Sequence, residues 1–162
     1  MSVPRAAAAL LLALALAGCG GLFKKPVEQR TTEGLTAESM FIYRVVLQNG
    51  REPSFEERQT WKDDIEQRIS AYLRAHPEAA NSFDVTKFRF LRQASVGMTK
   101  EQIQILLGPP DGATTDAAQV EKLARKYWPQ IKDRATEAWM YPVGWSYYFK
   151  DDRIVDITQY KE

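Results

Sequence analysis

Trp139-Met140-Tyr141-Pro142-Val143-Gly144-Trp145-Ser146-Tyr147-Tyr148-Phe149-Lys150-Asp151-Asp152-Arg153-Ile154-Val155-Asp156-Ile157 is the stretch that decides the fold. It is dense in aromatic and β-branched residues and broken by two turn signals, so it predicts three antiparallel strands. Three-residue loops at Pro142-Val143-Gly144 and Lys150-Asp151-Asp152 set the register. Tyr141 then faces Trp145, Trp139 faces Tyr147, Tyr147 faces Val155 and Trp145 faces Ile157. One face collects Trp139, Tyr141, Trp145, Tyr147, Phe149, Val155 and Ile157. A two-residue loop at Asp151-Asp152 would mix these with Asp156 and Thr158, and a buried face penalises such a slip. Asp152 is expected to take positive φ.

The other face carries Ala138, Met140, Ser146, Tyr148, Ile154, Asp156, Thr158 and Tyr160. It is neither a clean core nor a clean solvent face. Two readings stand: partial cover by the N-terminal helices, or a partner-binding surface built on Met140, Tyr148, Ile154 and Tyr160. Aromatic residues and Met are enriched at interfaces.

Upstream, Val96-Gly97-Met98-Thr99-Lys100-Glu101-Gln102-Ile103-Gln104-Ile105-Leu106-Leu107-Gly108-Pro109-Pro110 predicts a short, well-terminated helix. Thr99 and Gln102 have capping-box spacing, and Met98 and Ile103 stand at the two ends of a hydrophobic staple. Gly108 suits the left-handed stop and the prolines block continuation. Asp116 and Gln119 start another helix by the same rule, with Val120, Leu123, Ala124 and Tyr127 on its apolar side. Pro129 disfavours helix at Trp128. Asp84 to Gln93 fits helix or strand; the cap at Asp84 favours helix.

Two helices are expected nearer the start. Thr36 caps the first, and Asn49-Gly50 ends it. Ser54 and Glu57 box the second, with Trp61, Ile65, Ile69, Tyr72 and Leu73 as its apolar stripe. His76-Pro77 stops it, leaving His76 solvated. Glu56-Glu57 and Asp63-Asp64 are neighbours on a helix and do not face each other, so they read as a solvated face. Helices followed by a strand meander give an α+β chain.

Residues 1–18 read as a signal peptide: Arg5, then an apolar run from Ala6 to Ala17, then small residues. That run falls short of the roughly 20 residues a spanning helix needs. Leu16-Ala17-Gly18-Cys19 resembles the lipobox of bacterial lipoproteins. The resemblance implies a diacylglycerol on the Cys19 thiol, cleavage before Cys19 and acylation of the new amino terminus. Residues 19–35 read as the lipidated cysteine and a flexible tether.

The sequence has 22 basic and 21 acidic side chains. Loss of Arg5 with the signal leaves a neutral chain, with no field to steer it to nucleic acid. One His, one Cys and no Gly-x-Ser-x-Gly elbow are a poor kit for nucleophilic or metal chemistry. No cofactor and no metal site is expected. Glu137 and Asp156 are the one carboxylate pair worth testing, and the register sets them on opposite faces.

Lipobox, Gly97-Met98-Thr99 helix, Gly108-x-Pro110 stop and terminal meander together resemble the SmpA/OmlA (BamE-like) outer-membrane lipoproteins. The likeness covers about residues 84–112 and 136–160. It implies helices packed on one face of a three-stranded antiparallel sheet. Residues 36–162 then form a single α+β domain: a helical extension over 36–82 and a BamE-like core over 83–162. The helical pair at 36–82 and the insertion at 113–135 depart from the family pattern.

The expected function is a membrane-anchored envelope lipoprotein that binds or scaffolds another protein without catalysis. A lipid-anchored hydrolase and a module for small ligands or peptidoglycan are the alternatives. Where an outer membrane exists, Gly20 after Cys19 resembles the pattern of lipoproteins exported to it, facing the periplasm.

Overall fold

The computed structural model describes residues 26–82 and 84–161. The signal segment, Cys19 and the first half of the expected tether lie outside those residues. In chain order the elements are β1 (Val27–Thr31), β2 (Glu33–Thr36), α1 (Ala37–Asn49), α2 (Phe55–Ala75), α3 (Pro77–Ala80), a π-helical turn (Lys87–Leu91) and β3 (Gln93–Ser95). There follow α4 (Lys100–Leu107), β4 (Gly112–Thr114), α5 (Ala117–Ala124), a 3-10 turn (Arg125–Tyr127), α6 (Trp128–Ile131), β5 (Glu137–Tyr141), β6 (Trp145–Lys150) and β7 (Arg153–Lys161). The class is α+β.

The caps set the helix boundaries. The side chains of Thr36, Ser54, Thr99 and Asp116 accept the N–H three residues on, and Ser54–Glu57 and Thr99–Gln102 are complete capping boxes. Met98 and Ile103 are both buried, as the staple requires. Gly50 takes left-handed φ and returns its N–H to Val46. The 84–93 segment is not a regular helix. It makes one π turn, in which Phe88 is buried while Phe90 and Leu91 point outward. Arg92 then turns left-handed into β3.

The main sheet has five antiparallel strands in the order β1-β7-β6-β5-β4, not three, and β2 pairs with β3 beside it. The β5–β6 hairpin has the expected register, with Tyr141 opposite Trp145 and Trp139 opposite Tyr147. The β6–β7 register differs. Lys150 pairs with Arg153 across a two-residue turn, and Asp151 rather than Asp152 takes positive φ. A bulge at Val155 absorbs one residue, so Phe149 faces Ile154, Tyr148 faces Asp156, and Tyr147 faces Ile157. The bulge turns Ile154 onto the aromatic face and releases Val155 to the other. The apolar face survives by a different route.

β1 and β2 occupy the second half of the expected tether, which is therefore not flexible there; β1 belongs to the main sheet. It pairs with β7 from Val27 opposite Lys161 to Thr31 opposite Ile157. Arg30 fastens it: its guanidinium donates twice or more to the Asp156 carboxylate, at 2.7–3.0 Å. Further along the same β7 edge, Gly97 N–H donates to the Ile154 carbonyl and Ile154 N–H to the Met98 carbonyl. The Gly-Met-Thr loop therefore continues the edge pairing as well as starting α4.

Both faces of the sheet are covered. On one, α1, α2 and α4 bring Met40, Ile65, Ile69, Ile103 and Leu106 against Trp139, Tyr147, Phe149, Ile154 and Ile157. On the other, α5 and α6 bring Val120, Ala124 and Ile131 against Ala138 and Tyr148. The insertion at 113–135, not the N-terminal pair, covers the mixed face. Its helix ends at Ala124, and Pro129 sits in the first turn of α6, where a proline is tolerated.

Thr99→Ala removes the acceptor for Gln102 N–H and should destabilise the fold by about 1 kcal/mol, whereas Thr99→Ser should be near neutral. Denaturant midpoints of the two variants give the comparison; equal midpoints would show that the cap contributes nothing.

Candidate functional site

The four residues expected to form a binding face do not lie together on the surface. Tyr148 and Ile154 are fully enclosed, on opposite sides of the sheet. Met140 is half-buried beneath β4, its methyl where a side chain on Gly112 would go. Tyr160 is half-buried under the Arg125 guanidinium, 3.5 Å from its ring centre. The Tyr148 hydroxyl bonds Thr158 at 3.0 Å, and burial pushes it up to about 12. Burial likewise raises Tyr141 and Tyr147, whose hydroxyls engage the Gly108 carbonyl and Leu35 N–H. These phenols are neutral hydrogen-bonding groups of the core.

Several carboxylates are committed to cations or caps. Asp156 is buried between Arg30 and Arg134. Glu137, on the other face, takes Lys100 at 2.6 Å. The pair therefore does not meet, as its register placement required. Glu57 is held down to about 2 by Arg51 and by Ser54 N–H, which is its capping duty. His76 is less solvated than expected. It stacks on Tyr72 and lies between Glu78 at 3.2 Å and Glu101 at 3.7 Å. No group of three His, Cys, Asp or Glu among the described residues is arranged to hold a metal. No helix among them is long and apolar enough to cross a membrane.

The apolar surface lies elsewhere, where the sequence reading did not look. An open groove of about 300 Å³ is lined by Trp61, Phe90 and Leu91, with Glu38, Lys62 and Arg89 around it. Phe90 is 69% exposed and Leu91 55% exposed. Trp61 stacks on Phe41 at 4.9 Å, which carries the aromatic surface onto α1. Tyr43, Val46 and Leu47 on α1 are also exposed, as is Phe55 at the start of α2. Aromatic anchors inside a charged rim are what a protein-binding patch needs. A signal was available. Met40-Phe41-Ile42-Tyr43 and Val45-Val46-Leu47 put apolar residues on every side of α1. A helix of that kind buries only part of its surface when it lies on the outside of a domain.

No family model, no curated protein and no solved structure matches the chain.

Asp156 tests how the site residues serve the fold. Asp156→Asn removes the charge that binds Arg30 and Arg134, and should cost about 1–3 kcal/mol. Amide exchange should quicken first over residues 27–31. Uniform exchange across the sheet would show that the ion pair does not hold β1.

Proposed function

We propose that this chain is a lipid-anchored bacterial envelope lipoprotein of the SmpA/OmlA (BamE-like) kind, binding another envelope protein without catalysis. The observation that carries this reading is Leu16-Ala17-Gly18-Cys19 behind the apolar run from Ala6. A cysteine directly after small residues, at that depth, is the acceptor such an anchor needs. The groove at Trp61, Phe90 and Leu91 supports the binding half, because exposed aromatic groups with a charged rim favour association. The same proposal places the protein at the outer membrane, facing the periplasm, where the organism has one. Asp156, the buried carboxylate, is held by two arginines and lends the hydrolase alternative little.

Two substitutions separate the halves of this proposal. Cys19→Ser should abolish incorporation of a palmitate analogue, and undiminished labelling would reject the anchor. Phe90→Glu with Leu91→Glu should keep the melting transition and the anchor but reduce crosslinked partner in native envelopes at least several-fold. A partner captured equally well by that folded variant would reject the groove. Turnover of muropeptides or phospholipids by the purified protein would overturn the non-catalytic reading.

A further inference from the structure

One end of the sheet carries apolar residues that the domain does not use. Val143 occupies the centre of the β5–β6 turn with φ +58° and is 54% exposed. A β-branched residue at positive φ is a genuine backbone outlier, and Asn or Gly would sit there without strain. Strained backbone is retained where something else depends on it. Val143 is more than half exposed, so little of its side chain is packed against the described residues. Its carbonyl does accept from Gln159 Nε2, but any residue would supply a carbonyl.

Val27 is equally exposed at 54% and stands at the same end. It pairs with Lys161, and its neighbour Glu28 pairs with Tyr160. Tyr160 in turn packs its backbone against Gly144, whose added Cβ would collide with the Tyr160 carbonyl. One strand separates Val27 from the turn, so the two valines stand about 10 Å apart. Tyr160 and Lys161 lie between them. A tyrosine and a lysine beside exposed valines have the amphipathic character of side chains at a lipid–water boundary.

The chain also enters the fold at this end. Val27 is eight residues from Cys19. Fully extended, that length spans about 27 Å, and as a flexible coil roughly 16 Å. A lipid on Cys19 would thus join the domain to the bilayer through this end of the sheet.

We propose that the pole formed by Val27, the Pro142-Val143-Gly144 turn and Tyr160 rests in the interface of the bilayer that holds the anchor. The inference rests on the proposed acylation of Cys19 and adds an orientation to it. The sheet stands with the β5–β6 turn in the lipid interface. The Asp151-Asp152 turn, at the other end of β6, stands about 20 Å farther into water. Exposed Val143 is then accounted for by its contact with acyl chains.

The test uses the acylated full chain in phosphatidylcholine vesicles. Acylation consumes the Cys19 thiol, so single substitutions Val143→Cys, Val27→Cys and Asp151→Cys can each carry one nitroxide. Asp151 is a matched control, since it too has positive φ in a hairpin turn. Val27 is free of that strain and guards against misfolding at Val143. The expected result is oxygen access well above access to a water-soluble nickel complex at 143 and 27, with the reverse at 151. Vesicle flotation with water-like labels at 143 and 27 would overturn the orientation while leaving the anchor intact. Labels shielded from both reagents would also overturn it, by showing a second copy or another protein on this pole. Failure to float would reject the anchor, and the inference with it.

Discussion

The central strands β5, β6 and β7 are apolar on both faces, and most of the architecture answers that constraint. Tyr147 and Phe149 look one way, while Tyr148 and Ala138 look the other, and all four are fully buried. A sheet of this kind cannot leave one face to water. Helices α1, α2 and α4 close the first face and α5 with α6 the second. The insertion at 113–135 is therefore structural. Without it, Tyr148 and Ala138 would be open to solvent, together with Asp156 and its arginines.

What was legible in the sequence was what neighbouring residues determine. Thr36, Ser54, Thr99 and Asp116 announce their helices because a cap needs only three residues of local chain. The β5–β6 hairpin was legible because Trp139, Tyr141, Trp145 and Tyr147 alternate without interruption on both sides of one turn. The β6–β7 register was not. Two arrangements bury the same apolar mass, and the choice between a three-residue loop and a tight turn with a bulge depends on what surrounds Val155. The helix packed against β5 offers Val155 a place, so the bulge is stable.

β1 was illegible for a different reason. Val27-Glu28-Gln29-Arg30-Thr31 has no apolar alternation, since both its faces are largely exposed. It is a strand because β7 presents an open edge and because buried Asp156 needs a cation. Both causes lie more than a hundred residues away in sequence. The candidate binding face failed by the same logic. Nothing local revealed that α5 and α6 would fold back over Tyr148, that β4 would cover Met140, or that Arg125 would lie on Tyr160. Ile154 left that face altogether once the bulge set its register.

The covering of both sheet faces narrows where any partner can bind. The sheet faces are spent, so association must use the outer edges of β1 and β4 or what the helices and turns leave outside. Among the exposed apolar residues, two sets differ in kind. The groove at Trp61, Phe90 and Leu91 is concave, aromatic and rimmed by both signs of charge, which suits a folded protein surface or an inserted side chain. The pole at Val27 and Val143 is small and aliphatic, with tyrosine and lysine beside it. A small aliphatic patch offers a folded partner little area, but it meets a fluid lipid interface without needing shape complementarity. Under the two proposals, separate surfaces for protein and membrane would let the domain hold both at once, which a single shared face would forbid.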